Sequence, residues 1–167
     1  MTTQKTGEIL SPNFVLTFFA HFGLLSIFYI LIPTLPIYLS RRGSNEVEIG
    51  ILIGIFTLSS VALRPFIGRA LIKTPEKKFM IAGAILFGLT SIAYLIAPPF
   101  WPLLIVRLTQ GIGFAFFHTA SMTLIANISP ETHRGQSLSY FNLASTISGA
   151  LAPPFGIFLI NEIIFIM

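Results

Sequence analysis

Residues Arg107 to His118 read RLTQGIGFAFFH, so an arginine, a glutamine and a histidine stand inside an apolar run of helix length. At 100° per residue, Arg107, Gly111, Phe114 and His118 fall within about 60° of one another and share one stripe of the helix. If the run lies in lipid, this stripe has to face protein or water, because a charge turned towards lipid costs at least about 2.5 to 3.5 kcal/mol. The stretch therefore predicts a membrane helix with one polar stripe, and Gln110 lies on a neighbouring face.

Composition indicates that the rest of the chain is also a membrane protein. Apolar residues make up 54% of the 167 residues and charged residues 10%, with a mean hydropathy of +0.85, whereas soluble domains carry about 25% charged residues. So short a chain cannot hide that much apolar surface in its own core, and we predict an all-α integral membrane protein with the lipid bilayer as its partner.

Charge and cysteine content exclude other classes of protein. The net charge of +4 comes from basic residues in short gaps between apolar runs, which form no continuous basic face and give no support for nucleic acid as a partner. The chain has no cysteine, so disulfides and cysteine-ligated metals are excluded, and no metal site is predicted. We expect no enzyme activity, because the glycines of the 107–118 stretch follow no strand and no phosphate-binding Gly-Lys-Ser/Thr loop is present.

We predict that residues 1–167 form one helical bundle, in which apolar runs long enough to cross a membrane give spans at 14–39, 49–72, 79–97, 103–128 and 136–160. Pro33 and Pro36 are expected to bend the first span or to end it early, and the pair Pro153-Pro154 to kink the fifth. The linkers are short, so we expect successive helices to be antiparallel neighbours in one bundle.

The distribution of basic residues predicts the orientation. With the N-terminus inside, two basic residues lie outside and six lie at the cytoplasmic face, namely Lys5, Arg69, Lys73, Lys77, Lys78 and Arg134. We therefore predict a multi-pass protein of the cell (plasma or inner) membrane with a cytoplasmic N-terminus.

Two more segments have a recognisable pattern. Residues 64–78 read RPFIGRALIKTPEKK, in which Arg64 and Gly68 precede a linker that contains Lys73, Lys77 and Lys78. Residues 149–156 read GALAPPFG, with Gly149, Pro153 and Gly156 at its start, middle and end. Small residues spaced like Ala152 and Gly156 also let two helices approach closely, so packing alone can explain the second segment.

Together with Arg107, Gln110, Gly111 and Gly113, these segments resemble the major facilitator superfamily of transporters. The 64–78 segment resembles the family's signature between spans two and three, although Ile72 stands in place of its aspartate. The second resemblance is to the R-x-x-Q-G-x-G motif of span four, which is linked to proton coupling in exporters. The 149–156 segment is similar to the G-P-x-x-G motif of antiporters, with Ala152 in place of one glycine and Ile157 in place of another.

The resemblance implies a secondary transporter of small molecules, a proton-coupled efflux antiporter that works by alternating access. It implies no cofactor beyond H⁺ as the coupling ion. The chain would be five spans of an N-terminal bundle, with the sixth span and the second half missing, so a C-terminal half or second bundle is an expected partner. Two alternatives stay open: a sugar or metabolite importer, and a non-transporting membrane remnant that is inactive without a partner half.

Six residues are candidates for a substrate and proton pathway: His21, Arg107, Gln110, His118, Asn142 and Thr146. His118 lies about 15 Å from the predicted cytoplasmic end of its helix, and His21 lies at a similar depth, so we predict that both face one water-filled space. The alternative is that each histidine hydrogen-bonds a neighbouring helix. Arg107 either holds an anionic group or reaches the interface, and Gln110, Asn142 and Thr146 either line the cavity or join helices.

Overall fold

The computed structural model describes residues 11–94 and 100–166, with side chains as far as residue 162. Within those residues the regular structure is entirely helical, which confirms the all-α fold. Five α-helices follow one another, and a 3₁₀ turn at Glu131–His133 precedes the last. They are α1 (Pro12–Arg41), α2 (Glu46–Ala70), α3 (Glu76–Ala93), α4 (Trp101–Ile128) and α5 (Arg134–Ile166).

Four helical stretches are long and apolar enough to cross a membrane: α1, α2, α4 and the stretch Glu131–Glu162 that contains most of α5. Helix α3 is not among them, because its 18 residues begin with the charged Glu76, Lys77 and Lys78. The span predicted at 79–97 ends at residues that lie outside the described part of the chain. The chain is thus a multi-pass membrane protein, and a third span stays a prediction.

The helices are longer than most of the predicted spans, because polar residues cap or extend them. Asn45 accepts a hydrogen bond from the Glu48 amide at 2.9 Å, and the Glu48 carboxylate accepts one from the Asn45 amide at 3.1 Å. This capping box starts α2 at Glu46, three residues before the predicted apolar run. Pro33 and Pro36 do not end α1 early, since the helix continues to Arg41, and the bend that was the other expected outcome stays a prediction.

The chain divides into two compact units, and α1 and α4 each contribute to both. The first unit, Met1–Pro33 with Ser121–Met167, has a core of Phe14, Ile125 and Phe141. The second unit, Thr34–Ala120, packs four buried leucines from α1, α2 and α4: Leu35, Leu39, Leu52 and Leu103. Many large apolar side chains remain exposed in both units, as is expected of surfaces that face lipid.

Candidate functional site

Arg107 lies in the second turn of α4 and is buried in the second unit, with 4% of its surface exposed. Its guanidinium carbon lies 5.5 Å from the ring centroid of Phe56 on α2 and 5.7 Å from that of Tyr94, just after α3. Both distances are in the range of cation–π attraction. The guanidinium is therefore packed against aromatic rings inside the second unit, and its depth relative to the membrane interface stays a prediction.

Gln110 is the centre of the hydrogen bonds around Arg107. Its side-chain oxygen accepts bonds from the Tyr94 hydroxyl at 2.7 Å and from Arg107 Nη1 at 3.2 Å. Its amide nitrogen donates to the Ser91 hydroxyl at 3.5 Å. Arg107 Nε finds no hydrogen-bond partner among the described residues. We call Ser91, Tyr94, Arg107 and Gln110 the arginine–glutamine cluster. Within the described residues, its hydrogen bonds leave the Nε donor of the buried Arg107 unsatisfied.

The glycines of the same stretch bring α4 close to two different helices. A Cβ atom at Gly111 would meet the Ser59 hydroxyl and would lie 2.5 Å from the Phe56 carbonyl oxygen on α2. A Cβ atom at Gly113 would lie 2.8 Å from the Phe87 amide nitrogen and 3.1 Å from the Gly83 carbonyl oxygen on α3. Only glycine fits such close backbone contacts. Gly111 and Gly113 therefore set the helix spacing that places the cluster between α2, α3 and α4.

His118 is half-buried at the end of the polar stripe in the second unit. Its ring is stacked on Phe114, with centroids 5.3 Å apart. Phe114 in turn contacts Phe56 and Phe87 at 5.6 and 6.3 Å between ring centroids. Phe56 of α2 thus contacts both Arg107 and Phe114, and Phe114 contacts His118, so the stripe deduced from helical periodicity is joined through a residue of the neighbouring helix.

His21 lies in the first unit and is completely buried. Its Nδ1 lies 3.2 Å from the Ser121 hydroxyl on α4, and its ring centroid lies 4.6 Å from that of Phe141 on α5. The hydrogen bond to a neighbouring helix, which was one interpretation of this histidine, is therefore present. A common water-filled space for His21 and His118 stays a prediction.

The polar residues of α5 separate onto two faces. Ser148 is buried, donates to the Phe22 carbonyl at 3.2 Å and lies 3.2 Å from the Ser26 hydroxyl on α1. On the same side, the ring of Tyr29 is 3.4 Å from where a Cβ atom at Gly149 would lie. Asn142 and Thr146 are instead exposed on α5. Their role in a cavity stays a prediction.

The remaining residues of the recognised patterns are on the surface or in helix contacts. Arg64, Gly68, Lys73, Lys77 and Lys78 are exposed where α2 ends and α3 begins. Further along α5, Ala152 and Gly156 are buried and Pro153 is half-buried inside the unbroken helix. The burial of Ala152 and Gly156 agrees with the packing explanation of that segment.

Sequence reasoning did not find Ser91, Tyr94 and Ser121, which contact the candidate residues. Tyr94 and Ser91 precede Gln110 by 16 and 19 residues, a separation that a short turn between antiparallel helices could have suggested. Ser121 lies 100 residues from His21, and no local pattern announces that contact. No group of acidic, histidine or cysteine side chains suited to a metal ion occurs in the described part of the chain.

Comparison with known proteins gives relatives for almost the whole chain. It is 28% identical over 145 residues to the quinolone resistance protein NorA of Staphylococcus aureus, a match that covers 85% of this chain and 37% of NorA. It is 29% identical over 124 residues to an uncharacterized MFS-type transporter of Methanocaldococcus jannaschii, covering 74% of this chain and 32% of that protein. The chain thus spans about a third of the length of these relatives. The sequence profile of the Major Facilitator Superfamily matches residues 17–166, and the chain belongs to that family.

Proposed function

We propose that this chain is part of a secondary transporter, which exports small molecules across the cell membrane in exchange for protons. The observation that carries the proposal is the arginine–glutamine cluster, a buried cation and a buried amide on an apolar helix of a multi-pass protein. Buried charge at membrane depth is costly and marks substrate or ion pathways. Membership of the family supports transport, and the name of the quinolone resistance relative supports export of drug-like molecules.

In this mechanism each candidate residue has a distinct task. Arg107 is permanently charged, so it holds an anionic or electron-rich group instead of carrying the proton. His21 and His118 are the candidates for carrying the coupling proton, since an imidazole nitrogen can bind or release one. Asn142 and Thr146 present hydrogen-bonding groups on the exposed face of α5. Access alternates by rocking of one helical bundle against another around a midplane site.

Rocking needs a second bundle, and we propose that further chain or a partner half supplies it, since the matches cover only 37% and 32% of the two relatives. We propose that the protein lies in the cell membrane with its N-terminus in the cytoplasm; the excess of basic residues in the linkers that would then be cytoplasmic supports this orientation.

Transport assays in inside-out vesicles test the proposal. The 167-residue chain is compared with a version extended through the following reading frame, and ATP-independent accumulation of a fluorescent amphipathic dye is followed under an imposed proton gradient. We expect uptake by the extended protein that collapses when a protonophore is added. Uptake that is insensitive to the gradient contradicts proton coupling, and no uptake of any substrate by either form supports an inactive remnant.

Substitutions tie the activity to the cluster. R107Q removes the buried charge and is expected to abolish uptake, and the matched control R41Q removes an exposed charge and is expected to leave uptake unchanged. H21Q and H118Q are expected to shift or flatten the pH dependence of uptake. If R107Q transports as well as the parent protein, the cluster is not part of the pathway.

A further inference from the structure

Four cations lie between positions 69 and 78, where α2 ends and α3 begins: Arg69, Lys73, Lys77 and Lys78, here called the basic turn. All four are exposed, and the single carboxylate in the interval belongs to the half-buried Glu76. Backbone bonds order the segment, from the Lys73 amide to the Ala70 carbonyl at 3.1 Å and from the Lys78 amide to the Pro75 carbonyl at 3.1 Å. The cations therefore project from a defined turn.

Large apolar side chains surround the basic turn. Ile72 is 82% exposed between Arg69 and Lys73, Phe66 is 64% exposed one turn earlier on α2, and Ile81 is 61% exposed on α3. Water on all sides would leave these side chains unfavourably hydrated. A bilayer surface satisfies both groups at once, because apolar side chains enter the acyl region while lysine and arginine reach the headgroups.

The start of helix α3 gives an electrostatic reason for an anionic group to bind at the basic turn. Lys77 and Lys78 occupy its first turn, where the helix macrodipole is positive and a cation is unfavourable. The other end of α2 differs, because Arg41 and Arg42 are followed closely by Glu46 and Glu48. At the basic turn one carboxylate, that of Glu76, stands against four cations, so an approaching anionic group would offset the remaining repulsion between the cations and the unfavourable position of the two lysines in the macrodipole.

We propose that the basic turn binds the headgroups of anionic phospholipids and enriches them around the junction of α2 and α3. Each lysine or arginine close to an anionic leaflet raises the binding constant for that leaflet about fivefold. The attraction acts within about 10 Å at 0.1 M salt and within about 3 Å at 1 M, so the enrichment is local and salt-dependent. The inference depends on the membrane setting and stands whether or not the chain transports anything.

Tryptophan quenching in reconstituted vesicles measures the enrichment. Trp101 is the single tryptophan, so the W101F variant carrying I72W places one reporter in the basic turn. Quenching by brominated phosphatidylglycerol is compared with quenching by brominated phosphatidylcholine at equal mole fraction. We expect anionic lipid to be favoured at least about fivefold at this reporter, and the preference to fall when salt is raised.

Two matched double variants locate the source of the preference. K73Q/K77Q removes two cations from the basic turn and is expected to lower the preference to less than half. R41Q/R42Q removes two cations from the other end of α2 and is expected to leave it unchanged. All four side chains are exposed, and equal quenching by the neutral lipid checks that the fold is kept.

A second reporter, V47W in the W101F background, replaces a residue that is 70% exposed at the start of α2 and is expected to show no anionic preference. The proposal is overturned if the I72W reporter shows no preference, or if K73Q/K77Q leaves the preference intact. Protection of that reporter by soluble polyglutamate in neutral vesicles would assign the basic turn to an acidic protein partner and would also overturn it.

Discussion

At Arg107 a full charge is accommodated without a carboxylate from the same stretch of helix. Aspartate is absent from the sequence, and no glutamate stands between Glu76 and Glu131. The charge is met instead by the Gln110 oxygen and by the faces of Phe56 and Tyr94. Each desolvated cation–π contact contributes about 2 kcal/mol. The aromatic rings are thus as much a part of the cluster as its hydrogen bonds.

Tyr94 and Arg107 both donate to the side-chain oxygen of Gln110, so variants at these positions are expected to differ in their free energy of unfolding. Y94F removes one donor and is expected to lower the free energy of unfolding by about 1 kcal/mol. Q110L removes the acceptor of both Tyr94 and Arg107 and is expected to cost about 1 to 3 kcal/mol, since two buried donors then lack it. Denaturation in mixed micelles measures both.

T109A is the control for this ranking, because the Thr109 hydroxyl bonds the Ile105 carbonyl of its own helix. It is expected to change the unfolding free energy by less than about 0.5 kcal/mol. Equal stability of Q110L and T109A would contradict the role of Gln110 as the centre of the cluster.

Glycine substitutions test the close approach of α3 and α4. G113A and G83A each place a methyl group against backbone atoms, 2.8 Å from the Phe87 nitrogen and 2.6 Å from the Phe117 nitrogen. Overpacking of this kind costs about 1 to 3 kcal/mol. G88A on the same α3 meets nothing within 4 Å and is expected to stabilise the helix by up to about 1 kcal/mol. Thermal unfolding in detergent distinguishes the two groups, and a loss in G88A as large as in G113A would argue against the contact.

At the scale of single elements, the start of α2 depends on its capping box. N45A removes the acceptor for the Glu48 amide and is expected to destabilise the first turn by about 1 kcal/mol. Hydrogen exchange of the first-turn amides should then be about fivefold faster. E46Q, which alters an exposed carboxylate of the same turn, is the control, and unchanged exchange in N45A would show that the cap is not needed.

Element types could be predicted from the sequence, and several element ends and partners could not. Runs of apolar residues predict all five helices, but the predicted second span starts at residue 49 and leaves out the pattern Asn45-x-x-Glu48, which is the signal that starts α2. The glycines at 111 and 113 were recognised as a motif, yet Gly83, which lies against Gly113, belongs to no motif. Packing between helices is set by surfaces in three dimensions, and a linear pattern contains only one of the two surfaces.

In the candidate site, too, the sequence predicts relations within one helix but not the contacts between distant parts of the chain. Periodicity correctly joined Arg107, Phe114 and His118 on one stripe, because that relation depends only on the helix geometry of α4. Tyr94 and Ser121 were missed because they come from other parts of the chain. Tertiary structure brings together buried polar groups and their hydrogen-bond partners from distant parts of the chain. Composition and residue spacing hold no information about those pairs.

For the whole molecule, the side of the membrane on which each loop lies can be measured directly. The chain has no cysteine, so S44C between α1 and α2 and T132C between α4 and α5 each introduce one thiol. The excess of basic residues predicts that S44C reacts with a membrane-impermeant maleimide in intact cells, and that T132C reacts only after the membrane is opened. The reverse labelling pattern would contradict a cytoplasmic N-terminus.

The contact between Gly83 and Gly113 also has an evolutionary consequence. Each glycine faces backbone atoms of the opposite helix, so a larger residue at either position can be accommodated only by moving α3 away from α4. Once the helices have moved apart, the constraint on the other glycine disappears as well. Descendant lineages are therefore expected to keep both glycines or to lose both, and the second loss should follow the first quickly.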